Sequence, residues 1–415
     1  MRPSTFLSLL ASALSVLAVD SRYRGDKLVQ FQVTTQAQVD LLKTANQWGY
    51  DTWTHSGTHL GTVDVRVPSK VVDTLSTIGI PYKVLVDDLQ TIVDAEREHM
   101  DKNSEPLHRA VVSGNVSDLS AATIFSDWQS YATLSAYIAS LPGVTQLPSA
   151  GKTYQGQDVN AYKFGSGPYG VVYHGGIHAR EWISPATVAY VTGQLVNNAN
   201  LLSKFTFYVL PVANPDGYAY TRSASGDRYH RKNMQPNSGS SCIGTDPNRN
   251  FNFHWSGPGA SNDPCNDSYY GPSGFSTPEA QLIANFVKNT PNVVGYIDFH
   301  SFSELFMFAN GYTCSGKVKD YTTLLKGSQL AVAAIKGVHG ESFANGDICN
   351  TIYQASGSSV DYTYNVLGVT YSYAVELRPN QNTNSNSGFN PPVSEIIPSG
   401  EETTAAMVAL WTYVA

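Results

Sequence analysis

Tyr173-His174-Gly175-Gly176-Ile177-His178-Ala179-Arg180-Glu181-Trp182 follows an apolar run that begins at Gly170. The run reads as a short buried strand and the double glycine as a turn. His178 and Glu181 then stand three residues apart. An imidazole and a carboxylate from one short segment can share a Zn2+, which favours nitrogen and oxygen ligands in a tetrahedral shell. A third ligand from elsewhere would leave one position open, as a catalytic zinc requires. A surface His–Glu pair at the start of a helix is the rival reading, because a bare H-x-x-E arises easily by accident among ten histidines. Setting and downstream partners decide between the two.

From about Ile124 onward the pattern is α/β. Helical spacing over 130–141, 185–197, 278–288 and 321–339 alternates with apolar strands over 171–174, 206–212, 293–299 and 369–376. A last helix is expected to start near Ser399, where Ser399-Gly400-Glu401-Glu402 has the form of a capping box. Open α/β sheets place their sites at the carboxyl ends of strands. One strand runs into His300-Ser301 and another into Glu376-Leu377-Arg378. The first offers a third zinc ligand and the second a carboxylate base.

The first hundred residues read differently. An uncharged apolar run spans 6–19 behind Arg2, with Ala18 where a signal peptidase would cut, so 1–18 is expected to be a signal peptide. Strands at 28–33, 51–54, 61–67 and 82–86, with helices at 36–48 and 69–78, give a βαββαβ order, the ferredoxin-like pattern. A charged helix at 87–100 follows. The polar stretch 101–117, with Pro106, Gly114 and a lone basic residue at Arg109, has the composition of a linker. An exposed hinge there is a place where a pro-region would be clipped. The division expected is 1–18, 19–112 and 113–415.

Composition excludes several classes. Hydrophobic content of 42% with 14% charge describes a packed globular chain, and a net charge of −7 without a basic stretch argues against nucleic-acid binding. After the N-terminal run no segment is apolar for long enough to span a membrane. Cys242, Cys265, Cys314 and Cys349 fit an oxidising compartment. Three pairings are possible. Cys242–Cys265 with Cys314–Cys349 closes the two shortest non-overlapping loops and is favoured over a cysteine metal site, for which no C-x-x-C spacing exists. Sequons at Asn115 and Asn266 agree with a secretory route.

With these residues in view, the chain resembles the secreted zinc carboxypeptidases of the carboxypeptidase A type in their zymogen form, fungal metallocarboxypeptidases A among them. The resemblance covers nearly the whole chain. It is carried by Gly176-Ile177-His178-Ala179-Arg180-Glu181-Trp182-Ile183, Asn214-Pro215-Asp216-Gly217-Tyr218, Asp246-Pro247-Asn248-Arg249-Asn250-Phe251, Ile297-Asp298-Phe299-His300-Ser301, Ile352-Tyr353-Gln354-Ala355-Ser356-Gly357 and Glu376-Leu377-Arg378. It implies a central mixed, mostly parallel sheet flanked by helices, preceded by a ferredoxin-like pro-domain.

The resemblance also implies roles. His178, Glu181 and His300 would bind one Zn2+, with Asp246 orienting the first imidazole; carboxypeptidase A is a standard instance of the His2Glu set. Glu376 would be the general base and Arg231 would stabilise the developing oxyanion. Asn248 and Arg249 would grip the substrate's terminal carboxylate under Tyr353, and Arg180 would bind substrate further from the cut. Val360, Ala374 and Ile348 would line the side-chain pocket. Valine at the pocket base argues for hydrophobic C-terminal residues, since a buried cation without a partner is costly. Phe302 departs from the tyrosine of many relatives, and the Arg378–Pro379 peptide is expected to be cis.

These features imply a secreted, monomeric proenzyme that acts on peptide C-termini and is inhibited by its own pro-region. It would have neither a nucleic-acid nor a membrane partner. The family includes digestive and virulence-associated fungal enzymes. The competing readings are a catalytically dead binding module, which would be expected to lack a ligand or the base, and a zinc amidohydrolase acting on small acyl-amino acids. The latter would have less reason to carry the pro-region and the Asn-Arg and Tyr set.

Overall fold

Strand β7, Tyr169–Gly175, is buried from its second residue onward and has a parallel neighbour on each side. The reason is compositional: Val171, Val172 and Tyr173 are apolar on both faces, as a central parallel strand must be. The computed structural model describes residues 21–45, 48–53, 60–114, 119–380 and 388–415. The expected signal peptide, the sequon at Asn115 and most of the Asn/Ser-rich loop at 380–390 lie outside them.

In chain order the other strands are β1 Lys27–Val33, β2 Asp51–Thr52, β3 Gly61–Val67, β4 Tyr82–Val86, β5 Thr145–Gln146, β6 Tyr162–Gly165, β8 Phe205–Leu210, β9 Val293–Ser301, β10 Leu305–Phe308, β11 Ala344–Asp347 and β12 Tyr371–Leu377. The larger sheet has the order β11-β10-β12-β9-β7-β8-β6-β5. Its centre, β12-β9-β7-β8, is parallel, and antiparallel pairings enter at β10–β12, β6–β8 and β5–β6.

Register decides what each face carries. In β9, Gly295 lies under the ring of Trp411, so tightly that a Cβ would meet the indole at 2.1 Å. That face packs on helix Ile396–Val414 and, beyond it, on Ile183–Leu195 and Tyr321–His339. The alternate positions Tyr296, Asp298 and His300 point to the opposite face, where helix Ser359–Asn365 lies. Parallel pairing sets His174 of β7 and Ala374 of β12 beside Asp298, and Glu376 beside His300. Polar side chains from three strands are thereby gathered on one face at their carboxyl ends.

The N-terminal unit is a four-stranded antiparallel sheet, β2-β3-β1-β4, with its own core around Val29, Phe31, Leu42, Val65 and Ile80. The ferredoxin-like order is as expected, but its second helix is a 3-10 helix, Ser69–Ser76, on which only Leu75 is buried. A single anchoring residue gives little packing to hold α-helical geometry.

The linker expectation needs a larger correction. After helix Leu89–Lys102, residues Ser104–Val112 form another helix rather than an open hinge. Pro106 sits in its first turn, where a missing N–H costs nothing. Leu107 packs on the larger core and Ser130 bonds His108 Nδ1 at 2.8 Å. Polar composition concealed these contacts.

The last helix starts at Ile396 rather than near Ser399. Ser399 is buried within it and its hydroxyl meets that of Thr187 at 2.9 Å, so no capping box forms. Pro398 is accommodated because it lies in the first turn. The pairs Cys242–Cys265 and Cys314–Cys349 are both disulfides, and the Arg378–Pro379 peptide is cis.

Candidate active site

The Gly175-Gly176 turn brings the chain hard against helix Ile183–Leu195. A Cβ on Gly175 would lie 2.6 Å from Ser184 Oγ, and Gly176 has φ +62. Only glycine meets both demands at low cost. Ser184 Oγ accepts from Gly176 N and donates to Phe299 O at 2.6 Å, tying this turn to the end of β9. Asn214 fixes the next stretch: its amide donates to Ile177 O and Lys232 O, and Ala179 N donates to Arg231 O. The Asn214 turn therefore holds the segment of His178 against that of Arg231.

His178, Glu181 and His300 meet here, all buried, with one ligand atom from each lying within 4.8 Å of the others. His178 Nδ1 is 2.8 Å from Glu181 Oε1, and His300 Nδ1 is 3.0 Å from His178 Nδ1 and 3.2 Å from Glu181 Oε2. Each imidazole turns its other nitrogen to a carboxylate. His178 Nε2 lies 3.1 Å from Asp246 Oδ1, and His300 Nε2 lies 3.0 Å from Asp298 Oδ2. Two Nδ1 lone pairs and a carboxylate facing one point, each ring fixed by an anion behind it, form a donor set that fits Zn2+. The charges agree. Burial opposes ionisation of all these groups, yet the neighbouring imidazoles hold Glu181 below its usual range, and Asp298 and Glu181 raise His300 well above its own. A cation would take the place of those shared protons.

Glu376 is set beside His300 by strand register, and its Oε2 is buried without a hydrogen-bond partner. Burial pushes its carboxyl up to about 8, with His300 and Arg231 opposing the shift and Glu181 adding to it. A cation held by its neighbours would draw that value down. Arg231 reaches the same space. It donates through Nε and Nη2 to Asp246 Oδ2, and its Nη1 is 3.6 Å from Glu181 Oε1.

A cavity opens from this cluster, bordered by His178, His300, Glu376, Arg231, Asn248, Arg249 and Tyr353. Its far wall is apolar: Met307, Ile348, Ile352, Val360 and Ala374. Asp361, next to Val360, turns away and accepts from the N–H groups of Gly311 and Tyr312. Arg249 Nη2 donates to Tyr353 Oη at 3.3 Å.

Asn248 is engaged inward. Its amide nitrogen donates to Asp298 and lies 3.1 Å from His300 Nε2, while its oxygen accepts from Ser359 N. Arg180 does not border the cavity. It donates to Asp267 Oδ2 at 2.8 Å and to Tyr229 O, and stacks 4.2 Å over the Phe389 ring. The sequence reading missed Asp298. The signal was available, since alternation along a strand puts Asp298 on the same face as His300.

The N-terminal unit meets this region directly. Trp53 packs on Tyr229 and Phe389, within a cluster that joins Tyr23, Leu28, Leu89 and Val93 to Phe302. A second, small cavity is lined by Trp53 together with Glu181, Arg231 and Glu376. Asp51 lies 3.7 Å from Arg180, Glu96 receives Arg228 at 2.8 Å, and Glu105 receives Arg222 at 3.4 Å.

Such a sheet, a two-histidine, one-glutamate cluster beside a lone buried carboxylate, and a separate unit laid over it define a zinc peptidase with an attached pro-segment. Residues 130–406 match the zinc carboxypeptidase family and residues 29–96 the carboxypeptidase activation peptide family. The chain belongs to the zinc carboxypeptidases and is a metallocarboxypeptidase of the carboxypeptidase A type, made with its activation peptide. It is 33% identical to carboxypeptidase A2 of Rattus norvegicus over 98% of each chain. It is 32% identical to metallocarboxypeptidase A of Trichophyton rubrum, over 99% of this chain and 98% of that one. Among solved structures, thrombin activatable fibrinolysis inhibitor superposes with a TM-score of 0.79 at 27% identity, covering 94% of this chain and 99% of that one. Carboxypeptidase A from Helicoverpa armigera gives the same TM-score at 26% identity, covering 94% of this chain and 98% of that one.

Proposed function

We propose that the chain is a secreted proenzyme that removes hydrophobic or aromatic residues from peptide C-termini. In this reading 1–18 is a signal peptide, 19–112 the pro-region and 113–415 the catalytic domain, with Asn115 and Asn266 glycosylated. His178, Glu181 and His300 hold one Zn2+, which when bound supplies Lewis acidity to the scissile carbonyl and to water. Glu376 takes a proton from the attacking water and passes it to the leaving amine nitrogen. Arg231 donates to the oxygen on which charge develops, and the neighbouring Asp246 keeps that guanidinium in place. Asn248 and Arg249 receive the substrate's terminal carboxylate, and Tyr353 closes over it. Arg180 contacts residues upstream of the cut once Asp51 has left.

The observation that carries the reading is the convergence of three ligand atoms within 4.8 Å, with the carboxylate of Glu376 in the adjacent strand position. The apolar wall of Met307, Ile348, Ile352, Val360 and Ala374 supports the preference: a lysine or arginine there would bury a charge without a partner. That Trp53 and Glu376 line one cavity supports closure by the pro-region. The test is to cleave the chain after Val112, at the end of helix Ser104–Val112, and offer peptides ending in Phe, Leu, Lys or Glu, with and without a zinc chelator. Turnover is expected for Phe and Leu and is lost with chelator. Turnover that resists the chelator, or a preference for Lys, would contradict the reading.

A further inference from the structure

Asp298 does more than back a histidine. It is fully buried and does not border the cavity, yet one of its oxygens gathers three donors from different parts of the fold. Oδ2 accepts from Ser359 Oγ at 2.5 Å, lies 3.0 Å from His300 Nε2, and accepts from the Asn248 amide at 3.3 Å. Ser359 closes the ring by donating its backbone N–H to Asn248 Oδ1 at 2.8 Å. Ser359 is the first residue of helix Ser359–Asn365, and its neighbours Ser358 and Val360 border the cavity. The other oxygen, Oδ1, faces His174 Nδ1 at 3.5 Å, and His174 Nε2 meets Tyr296 Oη at 2.6 Å. A carboxylate in so dry a place is stable only while its donors stay put, and the donors are held by it in turn.

We propose that Asp298 is a positioning residue that couples metal holding at His300 to the wall that receives the substrate's C-terminal residue. Asp246 makes a parallel connection, joining His178 to Arg231 and to Asn248 N, but it does not reach the helix that carries Val360. Asp298 reaches both. With His300 Nδ1 given to a metal, its Nε2–H would be left to Asp298, which holds Ser359 and Asn248 through the same oxygen. Conversely, loosening the helix start releases His300.

The proposal rests on the zinc assignment above, so its test reads metal binding rather than peptidase activity. Zinc affinity of the full chain is measured by competition with a chromophoric chelator, and the visible absorption of the Co2+-loaded chain is recorded. Asp298→Asn is expected to weaken Zn2+ binding by about 10- to 100-fold, the range for losing a carboxylate behind a ligating histidine. Ser359→Ala touches no metal ligand, yet it is expected to weaken Zn2+ binding several-fold and to shift the Co2+ bands. It also carries the test should Asp298→Asn fail to fold. If Ser359→Ala leaves both readouts at the parent's values, Asp298 serves His300 alone and the coupling is refuted. A parent chain that binds no zinc would overturn the zinc assignment itself.

Discussion

The two sets of ion pairs in this molecule differ in which partner is exposed. At the candidate metal site, both members of three pairs are buried: Arg231 with Asp246, His178 with Asp246, His300 with Asp298. In three pairs between the N-terminal unit and the catalytic unit the catalytic unit's arginine is the more buried partner, whereas Arg22 and Asp227 are exposed to about the same degree. Asp51 is 24% exposed against 0% for Arg180, and Glu105 is 31% against 6% for Arg222. Breaking a doubly buried pair strands a charge away from water, whereas a partly exposed carboxylate is more readily rehydrated. The first set is built to persist and the second to part. What holds the cover at its centre is apolar, namely Trp53 against Tyr229 and Phe389.

The largest effect is expected at the persistent side. Glu376→Gln preserves shape and removes the base, so kcat of the cleaved enzyme should fall by about 100- to 10,000-fold with the zinc content unchanged. Activity close to that of the parent would remove Glu376 from the mechanism. On the separable side, Trp53→Ala deletes a side chain that is 1% exposed. Losses of about 3–5 kcal/mol for a buried tryptophan translate into markedly weaker inhibition by the cleaved pro-region, read as a rise in its inhibition constant. An unchanged constant would place the hold at the ion pairs instead.

A smaller effect tests the scaffold behind the site. Glu279 is buried, accepts one hydrogen bond from Asn233 at 2.7 Å, and burial pushes its carboxyl from 4.5 up to about 7. The folded state keeps this proton longer than the unfolded state does. The stabilising contribution is therefore full below about pH 4.5 and is lost as pH rises through about 7. Glu279→Gln should flatten the fall in stability across that window and raise Tm at pH 8, by an amount equivalent to about 1–2 kcal/mol. An unchanged pH profile of Tm would show that Glu279 is ionised in the folded chain.

Much of this was legible in the sequence because the chemistry sits at strand ends. His300 and Glu376 each close an apolar run, and His178 follows a double glycine whose purpose is geometric. The disulfide pairing followed from loop lengths. Other features required the fold. β10 and β11 are four-residue strands whose pairing depends on neighbours far along the chain. The helix Ser104–Val112 looked like a linker because its anchors, Leu107 and His108, face a domain that the local sequence cannot reveal. Arg180 was placed with the substrate residues, but its present partner Asp267 is 87 positions away. Asp298 was overlooked for a related reason: Ser359 and His174, which show its importance, arrive from two other elements.

The separation of a permanent site from a removable cover is tested most directly by comparing the intact chain with the chain cut once after Val112. Zn2+ stoichiometry and hydrolysis of a Phe-terminated peptide are measured on both. One Zn2+ per chain before and after the cut, with hydrolysis appearing only after it, is the predicted result. Equal hydrolysis before and after, or zinc that binds only to the cut chain, would contradict it.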